Sequence, residues 1–329
     1  MTSTIRNAYL NSAELYFGGN NQENFGFNMK AIDLALNRNC NLAGSSICSA
    51  WCPNRTKNEK ADEEVMSDET ITALCQQLIQ AGYTGGISFN RYNEPFYLAD
   101  FAEKVRLFRS LLPTTKLGCN TNGTLVTAEK LREVYEAGLT SMNFQIYPSN
   151  EKDRTEFSRE WAEGELKRIC ERLGIIVDEK KTQVIDGFYY EYSVIFPEDW
   201  KLVPDAKMVI YAKKLSELGC NRAGSVKGLS LQHERKTPCN QIGRFLGIDA
   251  NGDVSPCTNC TGRHLVACHK KYILGNIKDG KIWDTYAKVQ AMAMDLTANF
   301  SSENLRKYPE CVRCNFVPHV QQIASLKGA

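Results

Sequence analysis

Three cysteines, Cys40, Cys48 and Cys52, fall within thirteen residues of one another in Cys40-Asn41-Leu42-Ala43-Gly44-Ser45-Ser46-Ile47-Cys48-Ser49-Ala50-Trp51-Cys52-Pro53. They follow the apolar run Ala31-Ile32-Asp33-Leu34-Ala35-Leu36, which reads as a buried strand. Thiolates in a loop at the carboxyl edge of a sheet are well placed to hold a metal centre. Three ligands are one fewer than a structural zinc or an iron–sulfur cube normally takes, so one metal position is left open for something that reacts. A second group, Cys239, Cys257, Cys260, Cys268, Cys311 and Cys314, lies near the C-terminus. Its pairs Cys257-x2-Cys260 and Cys311-x2-Cys314 also fit a zinc ribbon with a long insertion, and that alternative stays open. Cys75, Cys119 and Cys170 fall in predicted helices and a strand and read as core.

The remaining composition narrows the class. Thirteen cysteines among 329 residues, an odd number, read as ligands and thiols rather than a disulfide framework. The net charge of +2 gives no nucleic-acid footprint. No apolar run reaches the roughly 18 residues of a membrane span, and Met1 to Arg6 has no signal-peptide core, so a cytoplasmic protein is expected.

The elements that must carry these residues alternate. Strands are expected at 28–37, 85–89, 116–121 and 141–146, with helices at 69–82, 96–112 and 128–138, the last capped by Thr127. Such alternation favours parallel βα units and an α/β fold. A charged helix is expected at about 151–173, a strand at 188–196 and a helix at 207–219. Residues 1–27 are polar and read as an extension. After about residue 235 the texture turns to cysteines, glycines and short strands, which places a domain boundary there. The expected organisation is therefore an extension (1–27), a core domain (28–235) and a cysteine-rich domain (236–329).

Cys40-Asn41-Leu42 and Trp51-Cys52-Pro53 resemble the cluster loop of the radical S-adenosylmethionine (SAM) enzymes, although the spacing here is C-x7-C-x3-C where the family usually has C-x3-C-x2-C. Tyr92-Asn93-Glu94-Pro95 after the second strand stands where that family has Gly-Glu-Pro, and Thr121-Asn122-Gly123-Thr124 after the third resembles its Thr-Asn-Gly-Thr. The resemblance implies a partial (β/α)6 TIM-like barrel. It also implies a [4Fe–4S] cluster on Cys40, Cys48 and Cys52, with the methionine part of SAM on the open iron. Glu94 would accept a hydrogen bond from the SAM amino group, Tyr92, Asn93 and Asn122 would help hold SAM, and Gly85 and Gly86 would let it approach the backbone. Where the family often has Ser-Leu-Asp, this chain reads Phe144-Gln145-Ile146-Tyr147, so Gln145 or Tyr147 is expected to contact SAM or substrate instead.

The unit Cys239-x12-Gly252-x4-Cys257 resembles the SPASM domain or its shorter form, twitch. It is supported by Leu274-Gly275-Asn276-Ile277, Ile282-Trp283 and Cys311-Val312-Arg313-Cys314. No cysteine follows Cys314, which points to a small α+β twitch-like domain with one auxiliary [4Fe–4S] cluster on Cys239, Cys257, Cys311 and Cys314. Cys220, Cys260 and Cys268 are the candidates for a thiol that returns hydrogen to a substrate radical. His264 and His269 read as solvated loop residues.

The function so implied is reductive cleavage of SAM to a 5′-deoxyadenosyl radical, followed by hydrogen abstraction leading to oxidation, epimerisation or bond formation. A flavodoxin- or ferredoxin-type protein would supply the electron. Residues 1–27 are too short for a peptide-binding domain, which leans toward a small metabolite: a sugar, aminocyclitol or amino acid. Maturation of a ribosomal peptide is the alternative substrate class, and a non-catalytic iron–sulfur or zinc protein is the alternative outside enzymes.

Overall fold

The computed structural model describes residues 15–43, 45, 52–54, 64–148, 157–226, 229, 231, 233–260 and 267–316, except the side chains of residues 267 and 268. Its frame is one open sheet. β1 (Ala31–Leu34), β2 (Gly86–Phe89), β3 (Lys116–Thr121), β4 (Ser141–Gln145), β5 (Ile176–Ile185), β6 (Tyr189–Ile195), β7 (Lys207–Lys213), β8 (Phe245–Ile248), β9 (Asp253–Ser255) and β10 (Gly275–Asn276) lie in the order β10-β9-β8-β1-β2-β3-β4-β7-β6-β5. The neighbours β8-β1-β2-β3-β4-β7 all run parallel, and β5, β6, β9 and β10 extend the two edges antiparallel. The sheet does not close, in keeping with the expected partial barrel. β8 comes from beyond residue 235 yet pairs with β1, so the cysteine-rich segment continues the same sheet.

The expected βα alternation holds. α1 (Asn21–Asn28), α2 (Asp68–Gln80), α3 (Phe101–Leu111), α4 (Ala128–Glu136), α5 (Arg159–Leu173), the short α6 (Leu215–Leu218), α7 (Ile282–Leu296), α8 (Ser302–Arg306) and α9 (Pro309–Val312) complete the described elements. Ser67 and Thr127 cap α2 and α4 by accepting from Thr70 N and Lys130 N, each satisfying an N–H that the first helical turn leaves unpaired. The parallel strands bury one face in alternation: Ile32, Leu34, Ile87, Phe89, Leu117, Met142, Phe144 and Ile210 are buried. Cys75 and Cys119 are buried with them, and Cys170 is half-buried against the core.

One expectation needs correction, and two elements were not foreseen. Residues 207–213 form β7, not the start of a helix. Met208, Ile210 and Ala212 are buried in alternation, and period-2 burial beside β4 outweighs the weaker helical reading. The polar run 176–185 is an edge strand, β5, whose residues are all exposed or half-buried, so it carries no apolar signal. The N-terminal extension includes the capped helix α1, whose buried Phe25 packs edge-on against Tyr286 of α7. Among the described residues no helix is long and apolar enough to cross a membrane.

Candidate active site at the carboxyl ends of the parallel strands

In an open parallel sheet the loops beyond the carboxyl ends of the strands make the ligand crevice. A cavity of about 240 Å³ lies there. Its walls are Asp33 of β1, Cys40 and Cys52 after β1, residues 90–94 after β2, residues 120–122 at the end of β3, Gln145 and Tyr147 after β4, Tyr211 and Lys213 at the end of β7, and Cys220 and Arg222. Cys48 lies outside the described residues.

Glu94 is the centre of this wall. Its carboxylate is buried and accepts from Thr121 Oγ1 at 2.7 Å, Asn122 N at 2.8 Å and Phe96 N at 3.2 Å. Burial pushes its pKa above the usual carboxylate range, while the three donors pull the other way. Glu94 N donates to Asn39 O at 2.8 Å, and Asn37 Nδ2 donates to Glu94 O, so the loop after β1 is pinned to the loop after β2. Asn122 Nδ2 donates to Asn41 Oδ1 at 3.0 Å and lies 3.8 Å from Cys40 Sγ. Asn54 Nδ2 donates to Tyr92 O at 2.9 Å. The segments carrying Cys40 and Cys52 are thus tied directly to the Glu94 and Asn122 motifs. Asn93 lines the cavity with both side-chain polar atoms buried and without a hydrogen-bond partner among the described residues, which fits an amide that meets a ligand.

Not every expected residue is here. Gly85 and Gly86 stand at the opposite, amino end of β2. A Cβ on Gly85 would come within 2.6 Å of Lys30 O, and one on Gly86 within 3.3 Å of Lys116 O. Their small size serves strand-on-strand approach, not a ligand. Of the three thiols considered as hydrogen donors, Cys220 alone among the described side chains lines the cavity. Burial pushes its pKa up, and it sits 3.3 Å from Asn259 Oδ1. Cys260 is buried and 3.7 Å from Cys257, away from the cavity, and the side chain of Cys268 is not described. Tyr189, Tyr190 and Tyr192 of β6 are buried.

The sequence reading missed four charged residues that the fold brings to the site: Asp33, Arg91, Lys213 and Arg222. Asp33 could have been noticed as the one charge in a buried apolar strand. Desolvation raises its pKa to about 6, against the pull of Arg91 and Arg222. Arg91 is buried and donates to Asp249 Oδ1 at 2.6 Å, Ser255 Oγ at 2.6 Å and Cys260 O at 2.7 Å. Tyr92 OH donates to Thr258 O at 3.0 Å. The loop after β2 therefore holds Glu94 at the cavity and also grips the β8–β9 hairpin.

That hairpin opens the second cysteine group. Gly252 turns it at φ +91°, with Asn276 so close that a Cβ would meet its Oδ1 at 2.7 Å. Asn276 Nδ2 in turn donates to Asn251 O and Asp253 Oδ1, which explains the Gly and the downstream Gly-Asn as one packed unit. Cys311 is held above its ordinary pKa by burial, then by Cys239, Cys257 and Cys314, so the four expected ligands lie within electrostatic reach of one another. Cys260 acts on Cys257 by lowering its thiol to about 7. Arg235, buried, donates through Nε to Cys314 O at 3.2 Å and is the cation among these thiols. Among the described residues no three such side chains already stand at metal-holding distances, but the donor set, soft thiols beside one arginine, is that of an iron–sulfur or zinc site. His269 is buried, 3.1 Å from Ala223 O, and not solvated as expected. His264 lies outside the described residues.

Residues 239–315 match the family model of SPASM, an iron–sulfur cluster-binding domain. This likeness favours iron–sulfur over a zinc ribbon at the C-terminal thiols. No curated protein matches the chain. Among solved structures, BtrN in complex with AdoMet and 2-DOIA gives a TM-score of 0.58 at 18% identity, covering 88% of this chain and 94% of BtrN. An open conformation of BtrN gives 0.51 at 16%, covering 88% and 93%. SuiB of Streptococcus suis bound to S-adenosylmethionine gives 0.46 at 13%, covering 88% and 78%. Over 88% of its length the chain thus shares the fold of BtrN.

Proposed function

We propose that this protein is a radical SAM enzyme that abstracts hydrogen from a small metabolite, a sugar, aminocyclitol or amino acid, in a biosynthetic oxidation, epimerisation or bond formation. One arrangement carries the reading: a buried carboxylate, Glu94, held by Thr121 and Asn122 in the same cavity as Cys40 and Cys52. A cluster on Cys40, Cys48 and Cys52 with SAM would supply reductive cleavage to a 5′-deoxyadenosyl radical.

The chain's own residues supply the rest. Glu94 is desolvated yet held by three donors, which leaves it poised to accept from an ammonium group. Asn93 and Asn122 offer amides to the same ligand. Cys220, kept protonated by burial, is the thiol positioned to return a hydrogen atom. The resulting sulfur radical would need an electron from the flavodoxin- or ferredoxin-type donor. The SPASM domain, gripped by Arg91 and Tyr92, would carry one auxiliary cluster on Cys239, Cys257, Cys311 and Cys314. Four thiolates would close that cluster to substrate and suit it to electron transfer. The BtrN complex with 2-DOIA supports the leaning toward a small molecule.

The test is iron, sulfide and zinc analysis of anaerobically purified protein, with 5′-deoxyadenosine measured after reduction in the presence of SAM. About eight irons per chain are expected from two four-iron clusters. Alanine at Cys40, Cys48 or Cys52 should abolish SAM cleavage and leave about half the iron. Zinc in place of iron, with no 5′-deoxyadenosine formed, would sink the proposal.

A further inference from the structure

We propose that the substrate carries an anionic group, a carboxylate or a phosphate ester, and that Lys213 and Arg222 hold it at the inner end of the cavity. This rests on the enzymatic reading above and narrows its substrate class. Lys213 is the last residue of β7, and Arg222 follows two residues after Cys220, in left-handed backbone at φ +51°. Both line the cavity shared with Glu94 and Cys40. Both also line an adjoining cavity of about 260 Å³, where Tyr189, Tyr211 and Cys220 form other walls. The two cations therefore stand where the spaces meet, beside the thiol placed to return hydrogen.

Neither cation forms a close ion pair with a carboxylate among the described residues; Arg222 feels Asp33 electrostatically, and Asp33 is shared with Arg91. Arg222 Nη1 has the Asn259 amide oxygen at 3.3 Å, and its guanidinium lies 5.6 Å from the centre of the Tyr92 ring. Lys213 Nζ has no hydrogen bond or ion pair among the described residues. Two buried cations elsewhere are paired with carboxylates, Arg91 with Asp249 at 2.6 Å and Lys104 with Asp68 at 2.6 Å, and buried Arg235 donates to backbone carbonyls, whereas Lys213 and Arg222 are half-buried. The acids around the cavity are already engaged. Glu94 takes three donors, Asp33 is drawn to Arg91 and Arg222, and Glu191 accepts from Tyr189 OH.

Burial and the neighbouring Arg222 bring the Lys213 ammonium down to about 8, the mark of two like charges facing one low-dielectric space. Such a pair is unfavourable until an anion enters. The planar arginine fork can then take two oxygens, and the lysine supplies a point charge. A substrate presenting only an ammonium group to this end of the cavity would be repelled. The class selected is an amino acid read through its carboxylate, a sugar acid or a phosphorylated sugar, and not an aminocyclitol.

The experiment uses cluster-reconstituted, SAM-loaded protein titrated with inorganic phosphate and with acetate in a calorimeter. SAM is present first, so that its own carboxylate is not the anion measured. One anion per chain should bind, weakened about 10–100-fold in Lys213→Met and in Arg222→Gln, and largely kept in Lys213→Arg. Phosphate binding the tighter assigns a phosphate ester, and acetate the tighter a carboxylate. A readout that needs no variant is labelling of Lys213 by an amine-reactive ester, which the bound anion should suppress. Absence of both binding and protection in the SAM-loaded protein overturns the inference, as does undiminished binding in both charge-removing variants. Release of 5′-deoxyadenosine by the wild-type protein is scored separately. Cleavage without anion binding refutes the anion site alone, and absence of cleavage refutes the enzymatic reading.

Discussion

Removing the Arg91 side chain should damage the protein far from the point of substitution. Arg91 and Asp249 form a buried ion pair at 2.6 Å, with side chains 0% and 4% exposed. The same guanidinium donates to Ser255 Oγ and Cys260 O, so it joins the loop after β2 to the β8–β9 hairpin and the segment that follows it. Arg91→Met fills similar space but leaves Asp249 charged, buried and unpaired. Breaking a buried pair from one side costs ~3–5 kcal/mol. With an unfolding entropy of ~2.1 cal/mol/K per residue over 329 residues, ~4 kcal/mol lowers Tm by roughly 6 °C. The assay is thermal unfolding of the wild type, Arg91→Met, Asp249→Asn and the double variant. The double variant should be scarcely worse than Arg91→Met, since the charge it removes has already lost its partner. Gly247 serves the same pair: a Cβ there would lie 1.7 Å from Arg91 Nη1. A Tm for Arg91→Met within about 1 °C of wild type, or simple additivity in the cycle, would refute the claim that this pair joins the two halves of the site.

Two further outcomes follow from the cavity. Glu94→Gln replaces an acceptor of three hydrogen bonds by an amide that faces Thr121 and Asn122 with one donor group. SAM affinity, measured by equilibrium dialysis, should fall ~10–100-fold, and an unchanged affinity removes Glu94 from the binding site. Asp33 has a folded pKa raised to about 6, above its ordinary value near ~3.9, so the folded state holds its proton the more tightly. Its contribution is fully present below about pH 4 and is lost as pH rises through 6. In cluster-free protein, urea titrations from pH 4 to 7 should show wild type losing up to ~3 kcal/mol relative to Asp33→Asn. Parallel pH profiles for the two proteins would contradict the burial of this carboxyl.

The parallel strands β1 to β4 were legible because each carries alternating buried apolar residues between helices with caps and one apolar stripe. β7 was misread because its burial alternates within a run that also suits a helix, and only its pairing with β4 chose between them. β5 was missed because a two-sided exposed edge strand writes no hydrophobic pattern. The Cys40, Glu94 and Asn122 motifs could be read as one site because each lies just past a strand of a parallel sheet, and such ends meet at one edge.

What the sequence alone determined is local: the thiols, the acid, the turn glycine at 252 and their order along a βα chain. The thiols and the order of elements follow from residue chemistry and short-range periodicity, while the acid and Gly252 were marked by the resemblance to known families. The tertiary structure decided which of them share a space. It took Gly85 and Gly86 to the far end of the sheet, set Cys220 in the cavity and Cys260 beneath a hairpin, and brought Asp33, Lys213 and Arg222 together across 189 residues of chain from the first to the last. Charges on separate strands carry no sequence spacing that marks them as neighbours. Parallel strands bring the carboxyl ends of β1 and β7 to one edge of the sheet, where Arg222, beyond the end of α6, meets both Asp33 and Lys213 electrostatically.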